Sequence, residues 1–216
     1  MEHTFPLNEG KRPYHSRARQ RQAEETRRRI LAATRDLFAS RGYAGTTLEA
    51  IAETAEVSPK TVSAVFGSKR SLLAELINPD AFGPHFQQLL DQLRTTPEPS
   101  RRLSLVAQMT RQAYEPLVPE LELLRTAGAV APELTDLAQQ VEARRRLNQA
   151  RLVGYLHEQQ VLRHGLQLEE ATDLLWALTS YDLYRMLVVE RHWLPERYET
   201  WLAQLLIQHL LQPVDG

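Results

Sequence analysis

The chain has 216 residues, 43% of them hydrophobic and 25% charged, which suits one or two globular domains with a sizeable core. No apolar run reaches the roughly 18 residues needed to span a bilayer, no N-terminal apolar stretch reads as a secretory signal, and the absence of cysteine excludes disulfides and thiol chemistry. Residues 1–73 carry 13 Lys/Arg against 8 Asp/Glu and residues 74–216 carry 13 against 19, so a basic N-terminal part precedes an acidic body and points to an anionic partner at one end.

Residues 1–22 read as a mobile basic arm, with Pro6, Gly10 and Pro13, few apolar residues and no periodicity. From Lys11 to Arg29 eight Lys/Arg stand against two Glu. Such a segment is either a solvated tail or an arm that follows phosphates or enters a minor groove. A helix is predicted from Glu24 to Ser40, because Ile30, Leu31, Thr34, Leu37 and Phe38 fall on one face. Gly42 follows where a left-handed cap is wanted.

Thr46 and Glu49 have the spacing of a capping box and predict a short helix from Leu48 to Thr54. Ile51 and Ala52 face inward, and the small residue at 52 lets a second helix pass close. After a tight turn at Ala55-Glu56-Val57, Ser58 suits an N-cap and Pro59 the first helical position. The second helix runs to Phe66, with Val62 and Phe66 as its anchor face. Lys60, Thr61, Ser63 and Ala64 look outward. Two short helices joined by a tight turn make a helix-turn-helix. The outward set fits a major groove, where hydroxyls and a lysine meet base edges or phosphates and an alanine meets a thymine methyl. Ser68 then caps a further helix through Leu76. A helix start collects phosphate through its free N–H groups and dipole, and Lys69 adds a charge beside it. The helix-turn-helix domain is expected over 23–78, with a helical effector-binding and dimerisation domain over 79–216.

No strand pattern appears. The body reads as helices near 82–94, 100–114, 117–129, 133–163, 168–191 and 195–211, split by Pro and Gly. The fold class is therefore all-α: a three-helix N-terminal helix-turn-helix domain and a larger helical body. The last two helices offer broad apolar faces, with Leu174, Leu178, Tyr181, Trp201 and Leu205 as dimer-interface candidates for a four-helix bundle between two copies. Gln108, Arg111, Tyr114, Arg125 and Trp176 are candidate ligand contacts, being polar or aromatic in apolar surroundings.

Catalytic signatures are missing. His157-Glu158 begins like a zinc-binding HExxH, but Val161 stands where the second His belongs. No Walker, G-x-S-x-G or G-x-G-x-x-G sequence occurs, and the seven His form no metal pair at helical spacing. Neither an enzyme nor a bound cofactor or metal is expected.

The stretch ILAATRDLFASRGYAGTTLEAIAETAEVSPKTVSAVFGSKRSLLAEL resembles the DNA-binding domain of the TetR family of bacterial transcription regulators. The resemblance rests on Leu37-Phe38, Gly42-Tyr43, Thr46-Thr47, Ile51-Ala52, Val57-Ser58, Thr61, Phe66 and Ser68-Lys69, and covers about 60 residues near the N-terminus. It implies DNA contacts by Thr46, Thr47, Ser58, Lys60, Thr61, Ser63 and Lys69, with Arg28 as a further candidate. It also implies a cytoplasmic homodimer acting on double-stranded DNA as a repressor that answers to a small-molecule effector, with no membrane partner. The alternative is a helix-turn-helix protein without an effector, in an architectural or co-regulator role. Three positions depart from the family pattern. Glu56 replaces the usual turn glycine, Ser63 replaces a frequent aromatic and Val65 replaces a frequent His; Tyr43 matches a position that is mostly core.

Overall fold

The structure is a computed structural model that describes residues 12–78, 83–127 and 131–213. Two compact units divide between Leu72 and Leu73, a few residues before the boundary expected at 78. Among the described residues all regular structure is helical, in agreement with the all-α expectation.

The N-terminal unit contains α1 (Arg12–Arg41), α2 (Leu48–Thr54) and α3 (Pro59–Phe66), and α4 (Lys69–Leu76) begins in it. The expected arm 1–22 needs correction. Helix α1 already starts at Arg12, because arginine, glutamine and alanine are good helix formers and Pro13 is tolerated in a first turn. Residues 1–11 lie outside the described residues. Ile30, Ala33 and Leu37 of α1 pack with Ile51, Ala52 and Ala55 of α2, Val62 and Phe66 of α3, and Leu72. Gly42 ends α1 at φ 70° and Gly67 ends α3 at φ 77°, a region that glycine enters without steric cost.

Glu56 takes φ 53° with a side chain that a β-carbon makes unwelcome there, at a cost of about 1–2 kcal/mol. Its carboxylate lies 3.9 Å from Arg29, a pair too exposed to offset that cost. Glu56→Gly is expected to raise the stability of the N-terminal unit by about 0.5–1 kcal/mol. Urea unfolding followed at the amides of α2 and α3 reads the effect, and an unchanged or lower midpoint refutes the strain.

The C-terminal unit contains α5 (Gly83–Thr95), α6 (Pro99–Tyr114), a 3₁₀ turn (Glu115–Leu117), α7 (Val118–Ala127), α8 (Pro132–Glu158), α9 (Leu168–Leu178), α10 (Tyr181–Tyr184), a π turn (Arg185–Glu190) and α11 (Pro195–Leu210). Its core joins Leu103 and Ala107 to Val153, Leu156, Ala171, Leu175, Tyr184, Tyr198, Leu202 and Leu206. Helix α11 packs along α6, and α8 along α9.

Two long helices of the expectation are interrupted. The one predicted over 133–163 stops at Glu158, where Gln160 turns left-handed at φ 58°. The chain after it pairs with the C-terminal end through Arg163 N–H to Leu210 O at 2.9 Å and Gln212 N–H to Val161 O at 3.0 Å. The one predicted over 168–191 breaks at Thr179, where the Ser180 hydroxyl caps α10 by accepting from the Leu183 N–H at 3.3 Å, and passes through the π turn.

Candidate nucleic-acid interface

The helix-turn-helix is held by side chains that cap its elements. Ser58 Oγ accepts from the Thr61 N–H at 3.0 Å and lies 2.8 Å from Thr61 Oγ1. With Pro59 in the first turn, α3 starts abruptly, as its sequence predicts. Val62 and Phe66 are buried while Lys60, Ser63 and Ala64 are exposed. At 100° per residue, Lys60 and Ala64 form the outward crest of α3, and Thr61 and Val65 form one flank.

Helix α2 is capped by Thr47, whose hydroxyl accepts from the Ala50 N–H at 3.1 Å. This corrects the expected capping box at Thr46. The Thr46 side chain is 0% exposed and donates to Leu37 O at 3.2 Å and Gly42 O at 2.8 Å. It ties the α1–α2 connection together and is withdrawn as a DNA contact. Thr47, beside it, is exposed.

Lys69 also has an internal role. Its ammonium donates to Tyr43 O at 2.8 Å and lies 4.6 Å from the centre of the Tyr43 ring. Tyr43 is buried against Phe38. A cation bonded in this way straps the start of α4 to the loop after α1, so its charge beside that helix start is fixed in direction. Ser68 caps α4 as expected, accepting from the Ser71 N–H at 3.1 Å. Arg28 is exposed and paired to Glu25 at 2.8 Å, and this hydrogen bond raises the Arg28 pKa and lowers that of Glu25.

Residues to which the sequence assigned no individual role lie on α1. A groove of about 510 Å³ runs between the N-terminal half of α1 and α3, lined among others by Arg19, Ala23, Thr26, Arg27, Thr61 and Val65. The signal was present: stepping back from Ile30 by three and four residues reaches Thr26, Ala23 and Arg19 on the same face.

In the body, the candidate ligand residues do not converge. Arg111 donates to Glu199 at 2.6 Å and Glu115 at 2.8 Å; burial disfavours its charge, but these two carboxylates outweigh burial and raise its pKa. Tyr114 donates to Thr179 O at 2.8 Å and is pushed up to about 12 by burial. Gln108 is half-buried on α6. Arg125 is exposed and paired with Glu122 at 2.8 Å. Trp176 is 37% exposed and its indole N–H donates to Glu142 at 2.9 Å. Arg125 and Trp176 therefore belong to the body's surface and not to an enclosed site. The dimer candidates Leu174, Leu178, Trp201 and Leu205 are half-buried. Tyr181 is half-buried as well, donates to Glu122 at 3.0 Å and meets Tyr114 edge-on; burial raises its pKa first, and the bond to Glu122 adds to that.

Tyr198 is 0% exposed, among Tyr184 and Trp201, and its hydroxyl has no hydrogen-bond partner among the described residues. Burying an unpaired hydroxyl costs about 1–3 kcal/mol. Tyr198→Phe is expected to leave the body as stable or to stabilise it by about 1 kcal/mol, read as the thermal midpoint. A loss above that size would mean the hydroxyl is bonded in solution.

Among the described residues no group of His, Asp or Glu could hold a metal ion, and no helix is long and apolar enough to cross a membrane.

Comparison with known proteins agrees with this geometry. Residues 30–76 match the bacterial regulatory proteins of the tetR family. No curated protein sequence matches the chain. Among solved structures, NalD, the secondary repressor of the MexAB-OprM multidrug efflux pump in Pseudomonas aeruginosa, aligns at 25% identity and a TM-score of 0.69 over 88% of this chain and 98% of its own. A SmeT–triclosan complex aligns at 22% and 0.69 over 88% and 93%. A protein described as a transcriptional regulator from Saccharomonospora viridis, in complex with choline, aligns at 22% and 0.65 over 88% and 100%. The body thus shares its fold with these proteins as well as the helix-turn-helix unit.

Proposed function

We propose that this chain, whose residues 30–76 match the bacterial regulatory proteins of the tetR family, is a homodimeric, ligand-responsive repressor working in the cytoplasm on double-stranded DNA, and not an enzyme. The observation that carries DNA reading is the outward crest of α3. Lys60, Ser63 and Ala64 are exposed on a helix whose opposite face is locked into the core by Val62 and Phe66. A short helix with a small polar crest and a rigid seat fits a major groove. Thr47 and the strapped start of α4 stand ready for phosphate.

Dimerisation is supported by the half-buried apolar residues Leu174, Leu178, Trp201 and Leu205. A twofold dimer would set two copies of α3 about 34–36 Å apart, or a multiple of that, to match paired half-sites. Effector response is supported by the fold shared with NalD and with the triclosan and choline complexes. An effector that favours one of two arrangements of the dimer would shift the operator equilibrium.

Selection of bound duplexes from a random library, followed by release with candidate compounds, tests the reading. Enrichment of a twofold-symmetric site supports a dimeric sequence reader, and failure to enrich any sequence overturns it. On the selected site Lys60→Ala is expected to cost about 1–2 kcal/mol of specific binding, measured by anisotropy. An unchanged affinity removes Lys60 from the interface.

A further inference from the structure

The groove between α1 and α3 lies on one flank of the reading helix. Ala23 and Val65 line it together with Arg19, Arg27 and Glu24. Val65 is 41% exposed, which is unusual for a valine beside a packed core. Arg17, Arg19 and Arg21 are exposed and have no ion-pair partner among the described residues, whereas Arg28 pairs with Glu25 and Arg29 with Glu56. Arg27 lies 4.7 Å from the Phe66 ring centre, held over the end of α3. Residues 12–22 of α1 extend the helix by about 16 Å at 1.5 Å per residue, the axial length of about five base pairs at 3.4 Å each.

A helix lying in a major groove is bordered on each side by a sugar-phosphate strand. The α2 side of α3 offers Thr47 to one border. We propose that the α1–α3 groove seats the other strand, with Arg19 and Arg27 at its phosphates and Ala23 and Val65 against its deoxyribose. The proposal rests on the DNA-reading function argued above and adds a second, sequence-independent clamp to it. The extension of α1 is then a rigid phosphate guide rather than an arm that enters a minor groove. The groove explains why an apolar residue is left uncovered at Val65.

The test uses the full chain, the duplex enriched by selection and an unrelated duplex, with affinity measured across a series of salt concentrations. Arg19→Ala is expected to reduce the slope of log K against log salt by about 0.9 on both duplexes, and Arg19→Lys to restore it. Val65→Glu, which puts a carboxylate into the groove, is expected to weaken both duplexes roughly tenfold without changing base preference. Both positions are exposed, so unchanged melting curves check the fold. An unchanged slope in Arg19→Ala overturns the clamp, and so does an altered base preference with the slope intact. If the wild-type chain enriches no duplex at all, the failure lies with DNA reading itself, which is a distinct result.

Discussion

Phe66→Ala is expected to remove about 3–5 kcal/mol from the N-terminal unit and, with it, DNA binding at ordinary temperatures. Phe66 closes α3 and packs with Ile30, Ile51, Val62 and Leu72 in one small core. The Arg27 guanidinium lies over its ring, 4.7 Å from the centroid. Truncation opens a cavity that few neighbours can fill, because α2 and α3 are only 7 and 8 residues long and depend on tertiary packing for their helicity. Total stabilities of about 5–15 kcal/mol are usual for whole domains, so such a loss is a large fraction for a unit of this size. Amide exchange in α2 and α3 reads the stability, and anisotropy reads DNA binding. A loss below about 1 kcal/mol would show that α3 is not anchored through Phe66.

The second large effect is expected at Thr179 in the body. Its buried hydroxyl donates to Leu175 O at 2.6 Å and accepts from Gln149 Nε2 at 2.6 Å and Arg145 Nη1 at 3.1 Å. Gln149 is itself buried, and its Oε1 has no partner among the described residues. Thr179→Val keeps the shape but leaves the Gln149 amide without a bond at either end, at a cost of about 2–3 kcal/mol. The double change Thr179→Val with Gln149→Leu removes both polar partners and is expected to recover most of that loss. Thermal unfolding of the single and double variants checks both statements. A double variant no more stable than Thr179→Val alone would mean that the cost lies in packing and not in the orphaned amide.

Local chemistry explains what the sequence revealed and what it concealed. Ser58, Pro59 and Gly42 act within one turn of their own position, so their roles could be read directly. Thr46 could not, because its hydroxyl is claimed by carbonyls at Leu37 and Gly42, and the cap passes to Thr47. The strap from Lys69 to Tyr43 joins residues 26 apart and leaves no periodic trace. The α1 extension was obscured by Pro13 and by the lack of an apolar stripe, yet a helix that meets another protein element only along an open groove needs no such stripe. In the body, polar and aromatic residues in an apolar pattern suggested one pocket. The structure distributes them over ion pairs, a threonine-centred network and the outer surface: Arg125 pairs with Glu122 on its own helix, while Arg111, Tyr114 and Trp176 find Glu199, Thr179 and Glu142 on elements distant in sequence.

The π turn has a consequence for how chains of this shape tolerate changes in length. Across Arg185–Glu190 the Arg191 N–H reaches back five residues, to Met186 O at 3.1 Å, so the turn holds one more residue than an α-helical turn does. A copy lacking one residue in this stretch could close an ordinary α turn and deliver the chain to Pro195 with α11 undisturbed. The same deletion within α6 or α9 would rotate every following side chain by about 100° and carry buried leucines to the surface. When sequences that share this fold are aligned, the single-residue gap therefore belongs between 185 and 190.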